Sequence, residues 1–213
     1  MGVDTHAMVV VHRAFRRESR LLIDLAAAVT PGDTRRAAVI AAHFRDYRLG
    51  LTTHHEGEDR VLWPPLLARV DPGADIVLRM RAQHERVEAT LARLDTVVPV
   101  WEANAGADAR DTVVAALVDH RAVLRAHLDD EEATLLPLAA EHLTATEWAA
   151  LATDLVAHTP RRTLFTLFGL VLEDAERAER ATLLAALPVP VRAAWHVLGH
   201  PRYTRHIRRV RAA

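Results

Sequence analysis

Apolar residues recur every three or four positions along most of this chain, which is the pattern of amphipathic α-helices. In the first two thirds of the chain, the pattern predicts helices over about residues 4–29, 33–63, 75–98 and 111–143. The breaks fall at turn-forming sequences, namely Thr30-Pro31-Gly32 and Val70-Asp71-Pro72-Gly73. The chain is therefore predicted to be all-α.

The ends of these helices are predicted from local signals. Asp33 or Thr34 can act as the N-cap of the second helix, and Asp111 as the N-cap of the fourth. Pro64-Pro65 is expected to kink or end the second helix, and Pro99 to end the third, since proline disrupts a helix interior. Residues from Pro99 to Arg110 would then form the longest loop in this part.

The last third of the chain continues in helices. Thr144 to Glu147 has the sequence of a capping box, and Thr159-Pro160 offers an N-cap and a first helical residue. Prolines and a glycine between residues 188 and 201 divide the rest into short pieces. We expect residues 1–143 to form one domain and residues 144–213 a helical extension that packs on it or forms a homodimer interface.

Two segments share the pattern His-x-x-x-Glu-(Asp/Glu)-x-x-Leu-x-Pro. They begin at His54 and at His127, 73 residues apart, and two further histidines, His12 and His84, are 72 residues apart. Residues four apart lie on one face of a helix, so each segment directs an imidazole and a carboxylate to one point. Nitrogen with carboxylate oxygen suits iron, manganese or zinc better than calcium or magnesium.

An internal repeat of this kind brings six metal-binding side chains into one core: His12, His54, Glu58, His84, His127 and Glu131. Six such ligands, with carboxylates that can bridge, are enough for two irons with open positions. A single tetrahedral zinc would leave several buried polar groups without partners.

The order of these residues, with a Leu-x-Pro sequence after each His-x-x-x-Glu pair, resembles the hemerythrin-like (HHE) cation-binding family over about residues 4–143. The resemblance implies an up-down four-helix bundle with a non-haem di-iron centre held by the six side chains. Members of the family bind oxygen, handle peroxide or nitric oxide, or sense iron and oxygen.

One departure from the family pattern concerns the third helix. Oxygen-carrying hemerythrins have two histidines four residues apart there, whereas Met80 precedes and Glu88 follows His84 at this spacing. Solvent, Glu88 or Tyr47 could take the place of the second imidazole. The pattern does not favour reversible oxygen carriage.

Other residues near the two motifs have less specific interpretations. Tyr47 and His120 occupy equivalent repeat positions and are the candidate catalytic groups, which would orient a bound molecule or shuttle protons. For Tyr47, a metal-bound phenolate and an ordinary hydrogen bond to a neighbour are both open. His55 is interpreted as a residue on the flank of the helix or as one that supports a neighbouring ligand, and Asp59 and Glu132 as solvated carboxylates.

Composition excludes several other functions. All 27 basic residues are arginine and the chain has no cysteine and one serine, Ser19, so lysine, thiol and serine-hydrolase chemistry are not expected. A net charge of -1 argues against a nucleic-acid partner. No apolar run is long enough to span a membrane and residues 1–4 lack the basic start of a signal peptide, so we expect a cytosolic protein with no membrane partner.

Three functional hypotheses follow. The first is a di-iron redox protein that binds or reacts with oxygen, peroxide or nitric oxide, as an oxidoreductase with catalase-like or related activity if it is an enzyme. The second is an iron or oxygen sensor that acts through a partner or through the C-terminal helices without turnover. The third is a purely structural helical bundle whose histidines are core residues.

Overall fold

The computed structural model describes residues 2–69 and 73–212, so the turn predicted at residues 70–73 lies largely outside the described residues. The first part contains helices α1 (His6–Ala27), α2 (Thr34–Gly57), α3 (Trp63–Leu67), α4 (Gly73–Asn104), α5 (Ala107–Asp130) and α6 (Leu136–His142). The second contains α7 (Ala145–His158), α8 (Arg161–Asp174), α9 (Arg177–Ala185), α10 (Val189–Ala194) and α11 (His200–Arg211). The described residues contain no strand, which confirms the all-α prediction.

Four long helices form the bundle. Helix α1 contacts α2 and α5, and α4 contacts the same two helices, so the four surround a common core. Two groups of buried apolar side chains fill this core. The large apolar cluster includes Leu22, Leu51, Leu91 and Leu124, and the small apolar cluster includes Met8, Leu62, Met80 and Leu135.

The position of each helix between the two clusters gives its direction. Helix α1 begins in the small cluster and ends in the large one, whereas α2 and its continuation proceed from the large cluster to the small one. Helices α4 and α5 repeat this alternation. The bundle is therefore up-down, as the family resemblance implies.

Each His-x-x-x-Glu motif is followed by a single π-helical turn. These turns span Glu58–Leu62 and Glu131–Leu135, and each closes with a hydrogen bond from the residue before a proline to the motif glutamate's carbonyl. Proline has no N–H and its ring clashes with the carbonyl four residues earlier, so a wider turn relieves both problems. The helical backbone consequently continues through Pro64-Pro65 to Leu67, although the sequence predicted a kink or an end at these prolines.

Several predicted helix ends are confirmed. Asp33 accepts a hydrogen bond from the Arg36 N–H at 2.9 Å and caps α2. Thr144 and Glu147 form the predicted capping box of α7. Helix α8 begins one residue later than expected, with Pro160 at its N-cap position.

The predicted end of the third helix is wrong. Helix α4 continues through Pro99 to Asn104, and Gly106, rather than Asp111, is the N-cap of α5. The predicted loop from Pro99 to Arg110 is reduced to the two residues between these helices. Burial explains the difference, because Val98 and Trp101, on either side of Pro99, pack in the large apolar cluster and offset one lost backbone hydrogen bond.

Helices of the last third lie against the bundle. Helix α7 contacts α2 and the first π turn, α8 contacts α1 and α2, and α11 contacts α2. A Cβ atom at Gly50 would lie 2.8 Å from Leu167, and one at Gly57 would lie 3.1 Å from Leu151, so both glycines allow close approach of a neighbouring helix. The division of the chain at residues 143 and 144 stays a prediction. Among the described residues no helix has the length and apolar character needed to cross a membrane.

Candidate metal centre

The structure brings together all six side chains that the sequence marks as metal ligands. They are His12, His54, Glu58, His84, His127 and Glu131, each at most 5% exposed. They form one layer between the large and small apolar clusters. On each bundle helix, the metal-binding residues lie between the residues that pack in one cluster and those that pack in the other. Water is thus excluded from the layer on both sides.

The Glu58 carboxylate lies between two histidines from different helices. Its Oε1 is 3.1 Å from His54 Nε2, and its Oε2 is 3.4 Å from His84 Nε2. The Nε2 atoms of His54 and His12 are in turn 3.3 Å apart. Glu58 therefore reaches both the His12–His54 pair and the opposite side of the layer.

The Glu131 carboxylate has the equivalent position in the second half of the repeat. Its Oε2 is 3.5 Å from His12 Nε2 and 3.4 Å from His127 Nε2. The two carboxylates thus each connect the His12–His54 pair with the His84–His127 pair. Two carboxylates between two groups of imidazoles is an arrangement suited to a pair of metal ions.

Buried polar atoms without partners show that a cation fits this layer. Both oxygens of Glu58, both oxygens of Glu131 and the Nε2 atoms of His84 and His127 have no hydrogen-bond partner. Buried polar atoms are nearly always paired, since an unpaired one costs about 1–3 kcal/mol. Donors of nitrogen and carboxylate oxygen match a transition metal.

Burial shifts the pKa values of these groups in opposite directions. Burial and then the nearby Glu58 raise the pKa of Glu131 to about 8, and burial raises that of Glu58 too. Burial lowers the pKa of His54 well below its ordinary value and that of His127 to about 2. These two imidazoles are therefore neutral near pH 7, which is the form that binds metals.

The described geometry agrees with a comparison of the sequence with protein families. The family model described as "Hemerythrin HHE cation binding domain" matches residues 3–139. The chain belongs to the hemerythrin family. No significant match was found among curated proteins or among solved structures.

Asp59 and Glu132 of this hemerythrin domain are partly exposed, but each also contacts a histidine of the layer, which the sequence did not suggest. Asp59 Oδ1 lies 3.3 Å from His84 Nδ1 and accepts a hydrogen bond from Trp63 Nε1 at 2.6 Å. Glu132 Oε1 lies 2.9 Å from His12 Nδ1. Each carboxylate orients a histidine that belongs to the other half of the repeat, and their equivalent positions in the repeat were the signal that could have revealed this role.

The bond to Asp59 also affects the charge of its histidine. Burial alone would lower the pKa of His84, but the carboxylates of Asp59 and Glu58 outweigh it and raise that pKa to about 9. Gln83 has a comparable orienting role, since its Oε1 lies 3.1 Å from His127 Nδ1. The repeat gives no signal for Gln83, because the residue 72 positions earlier is Val11.

Of the two interpretations of His55, a position on the flank of the helix is wrong, because the side chain lies among the proposed ligands. It is 5% exposed, and its ring stacks on that of His84 with 4.2 Å between centroids. Ligand atoms of His55, His84 and His127 all lie within 4.8 Å of one another. His55 is about 100° around the helix from His54, and both positions face the layer because other helices surround this part of α2.

Tyr47 and His120 lie one layer away from the metal-binding side chains. The Tyr47 hydroxyl is 2.7 Å from His120 Nε2, and His120 Nδ1 is 2.7 Å from the Thr90 hydroxyl. The Phe15 ring packs against both Tyr47 and His54, with 6.2 Å and 5.2 Å between ring centroids. Burial raises the pKa of Tyr47 well above its ordinary value and lowers that of His120 to about 4, so both are neutral.

Glu88, considered as a reserve ligand from the sequence, points away from the layer. Its carboxylate accepts hydrogen bonds from Arg48 at 2.9 Å and from Thr52 at 3.3 Å on the exposed surface. Residues four apart on a helix differ in direction by about 40°, and this rotation leaves Glu88 on the exposed surface beside Arg48.

We expect Asp59→Ala and Glu132→Ala each to weaken metal binding about 10-fold or more, because the imidazole next to each carboxylate loses its orienting acceptor. Isothermal titration of the metal-free variants with Co²⁺ measures this change. Glu56→Ala is the matched control, since Glu56 is an exposed carboxylate that bonds only Arg60 among the described contacts. Equal affinities of the two variants and the control would contradict the orienting role.

Proposed function

We propose that this hemerythrin domain holds two iron ions between its four helices and binds or reacts with a small oxygen species or nitric oxide. The observation that carries the proposal is the pair of buried carboxylates, Glu58 and Glu131, each of which reaches imidazoles of both histidine pairs. The six proposed ligands are too many for one tetrahedral zinc. An iron pair supplies the electrons and Lewis acidity that reactions of oxygen, peroxide or nitric oxide require.

A cavity beside the layer supports a small ligand. Its volume is about 270 Å³, and it lies between α4 and α5, with Gln83, Arg86, Val123, Ala126 and His127 as its lining. The wall thus includes one proposed metal ligand and the glutamine that orients it. A diatomic molecule or peroxide is small enough to occupy this cavity next to His127.

The residues around the layer would control water and protons. The two apolar clusters exclude bulk water, which strengthens electrostatic interactions inside. Tyr47 and His120 form a neutral hydrogen-bonded pair that can hold or pass on a proton at the Tyr47 oxygen or at His120 Nε2. We propose that this pair supplies protons to the site, and Phe15 packs against both Tyr47 and His54.

Iron-loaded protein tests the proposal directly. We expect two irons per chain and consumption of hydrogen peroxide, nitric oxide or oxygen faster than by the same concentration of free ferrous iron. A gas or peroxide electrode measures the rates. Tyr47→Phe should keep both irons and lower the rate, because it removes the hydroxyl and leaves the ring in place. Metal-free protein is the control, and iron-loaded protein that consumes none of the three would contradict the enzymatic form.

The sensor alternative has one observation in its favour. Gly57, which precedes the proposed ligand Glu58, lies against Leu151 of α7, and the first π turn contacts the same helix. If Glu58 moved on metal binding, Gly57 and the first π turn would move with it and displace α7. Iron-dependent protection of residues 145–158 from hydrogen exchange, without any turnover, would favour the sensor.

A further inference from the structure

His55 is a buried histidine whose imidazole has an unpaired nitrogen. Its Nε2 atom has no hydrogen-bond partner, and the side chain is surrounded by other imidazoles. The ring is nearly parallel to that of His84, at 11°, and meets the His127 ring edge-on with 4.8 Å between centroids. His84 and His127 also have unpaired Nε2 atoms. Three imidazoles thus present free nitrogens to one place.

The internal repeat shows that the fold does not require a histidine here. The residue 73 positions after His55 is Leu128, which is completely buried in the large apolar cluster. Leucine in that place needs no partner. An imidazole with an unpaired buried nitrogen destabilises the protein by about 1–3 kcal/mol unless something binds it. A role in packing alone therefore does not explain His55.

Within the layer, the imidazoles form two groups on opposite sides of the Glu58 and Glu131 carboxylates, and His55 makes these two groups differ. On one side, the His12–His54 pair supplies two imidazole nitrogens close to Glu58 and Glu131. On the other side, His84 and His127 are joined by a third imidazole. Without His55 each side would supply two imidazoles.

We propose that His55 is a metal ligand, which completes a three-histidine site with His84 and His127 for a divalent first-row transition metal. This inference rests on the proposed function, in which the layer holds two ions. The two metal positions are then unequal. One has three imidazoles and two carboxylates, and the other has two imidazoles and the same carboxylates.

Cobalt titration of the metal-free protein tests the assignment. Visible absorption and competition with a chelator give the affinity of each site. The wild-type protein should bind two Co²⁺, and His55→Leu, which copies the leucine of the other half, should weaken one site by at least about tenfold and leave the other unchanged. His55→Gln should do the same, and it carries the test if the leucine variant does not fold. His158→Leu, the same change at an exposed histidine, is the control.

The melting temperature of the metal-free variants separates a ligand from a packing residue. A ligand predicts that metal-free His55→Leu melts at or above the wild-type temperature, whereas a packing residue predicts a lower one. Two unchanged Co²⁺ affinities and an unchanged absorption spectrum in His55→Leu and His55→Gln would overturn the assignment and leave the proposed function standing. Wild-type protein that binds no cobalt and no iron would instead overturn the proposed function.

Discussion

Replacement of Glu131 by glutamine is expected to reduce the iron content from two ions per chain to one or none. The Glu131 Oε2 atom lies close to both His12 and His127, so the substitution removes an anionic donor from both metal positions at once. A neutral amide oxygen binds these metals weakly, and we expect affinity to fall by at least about 100-fold, beyond the loss caused by removal of an orienting residue. Metal analysis after iron loading and dialysis measures the content.

Glu56→Gln is the matched control for this experiment. It makes the same chemical change two residues before Glu58, at an exposed carboxylate outside the layer. The control should retain both ions. If Glu131→Gln also retained two irons with wild-type affinity, Glu131 would not be a ligand and the paired-carboxylate argument would fail.

Stability of the metal-free protein is expected to be greatest near pH 6, roughly, and to fall on both sides. On the alkaline side, the raised pKa values of Glu131 (about 8) and His84 (about 9) mean that the folded protein retains protons which the unfolded chain releases. Their stabilisation is complete below the ordinary pKa of each group and is lost as the pH rises through 8 and 9. At about 1.4 kcal/mol per pKa unit, the loss between pH 6 and 9 is about 3 kcal/mol from Glu131 and about 3 kcal/mol from His84, on the order of 6 kcal/mol together.

On the acidic side, the lowered pKa values of buried histidines have the opposite effect. Burial lowers the pKa of His120 to about 4 and that of His127 to about 2. The unfolded chain binds protons at these histidines below about pH 6.5 and the folded chain does not, so stability falls as the pH decreases from that value.

Chemical denaturation from pH 5 to 9.5 measures this profile. Glu131→Gln has no carboxyl group to titrate at that position, so its loss between pH 6 and 9 should be about 3 kcal/mol smaller than that of the wild type. Metal loading should reverse the alkaline trend, because a bound ion replaces the protons of Glu131 and His84 and stabilises the folded state. Parallel alkaline losses in the wild type and the variant would contradict the assignment to Glu131.

The family and the set of six side chains could be predicted because they depend on local periodicity. His54 and Glu58, like His127 and Glu131, are four residues apart, and a helix places such residues on one face in any protein. The spacing of His12 and His84 in the repeat then added one residue from each remaining bundle helix. The helix content, the cap at Asp33 and the capping box at Thr144 could also be predicted, because each depends on residues close together in the sequence.

The errors arose where distant contacts outweigh local signals. Pro99 was expected to end a helix, but apolar burial on both of its sides retains the helix. Asp59 and Glu132 were expected to be solvated, but each lies against a histidine of the other half of the repeat. No local pattern describes a contact between residues that are 25 or 120 positions apart.

The sequence by itself determined that this chain forms helices, that it belongs among the hemerythrins and that six histidines and glutamates face one core. Only the tertiary structure decided how the glutamates lie between the histidines, which carboxylates orient them, and that His55 joins the layer. Periodicity fixes the direction of a side chain around its own helix. The distance between two side chains on different helices depends on the crossing and rotation of those helices, which packing of the whole bundle sets.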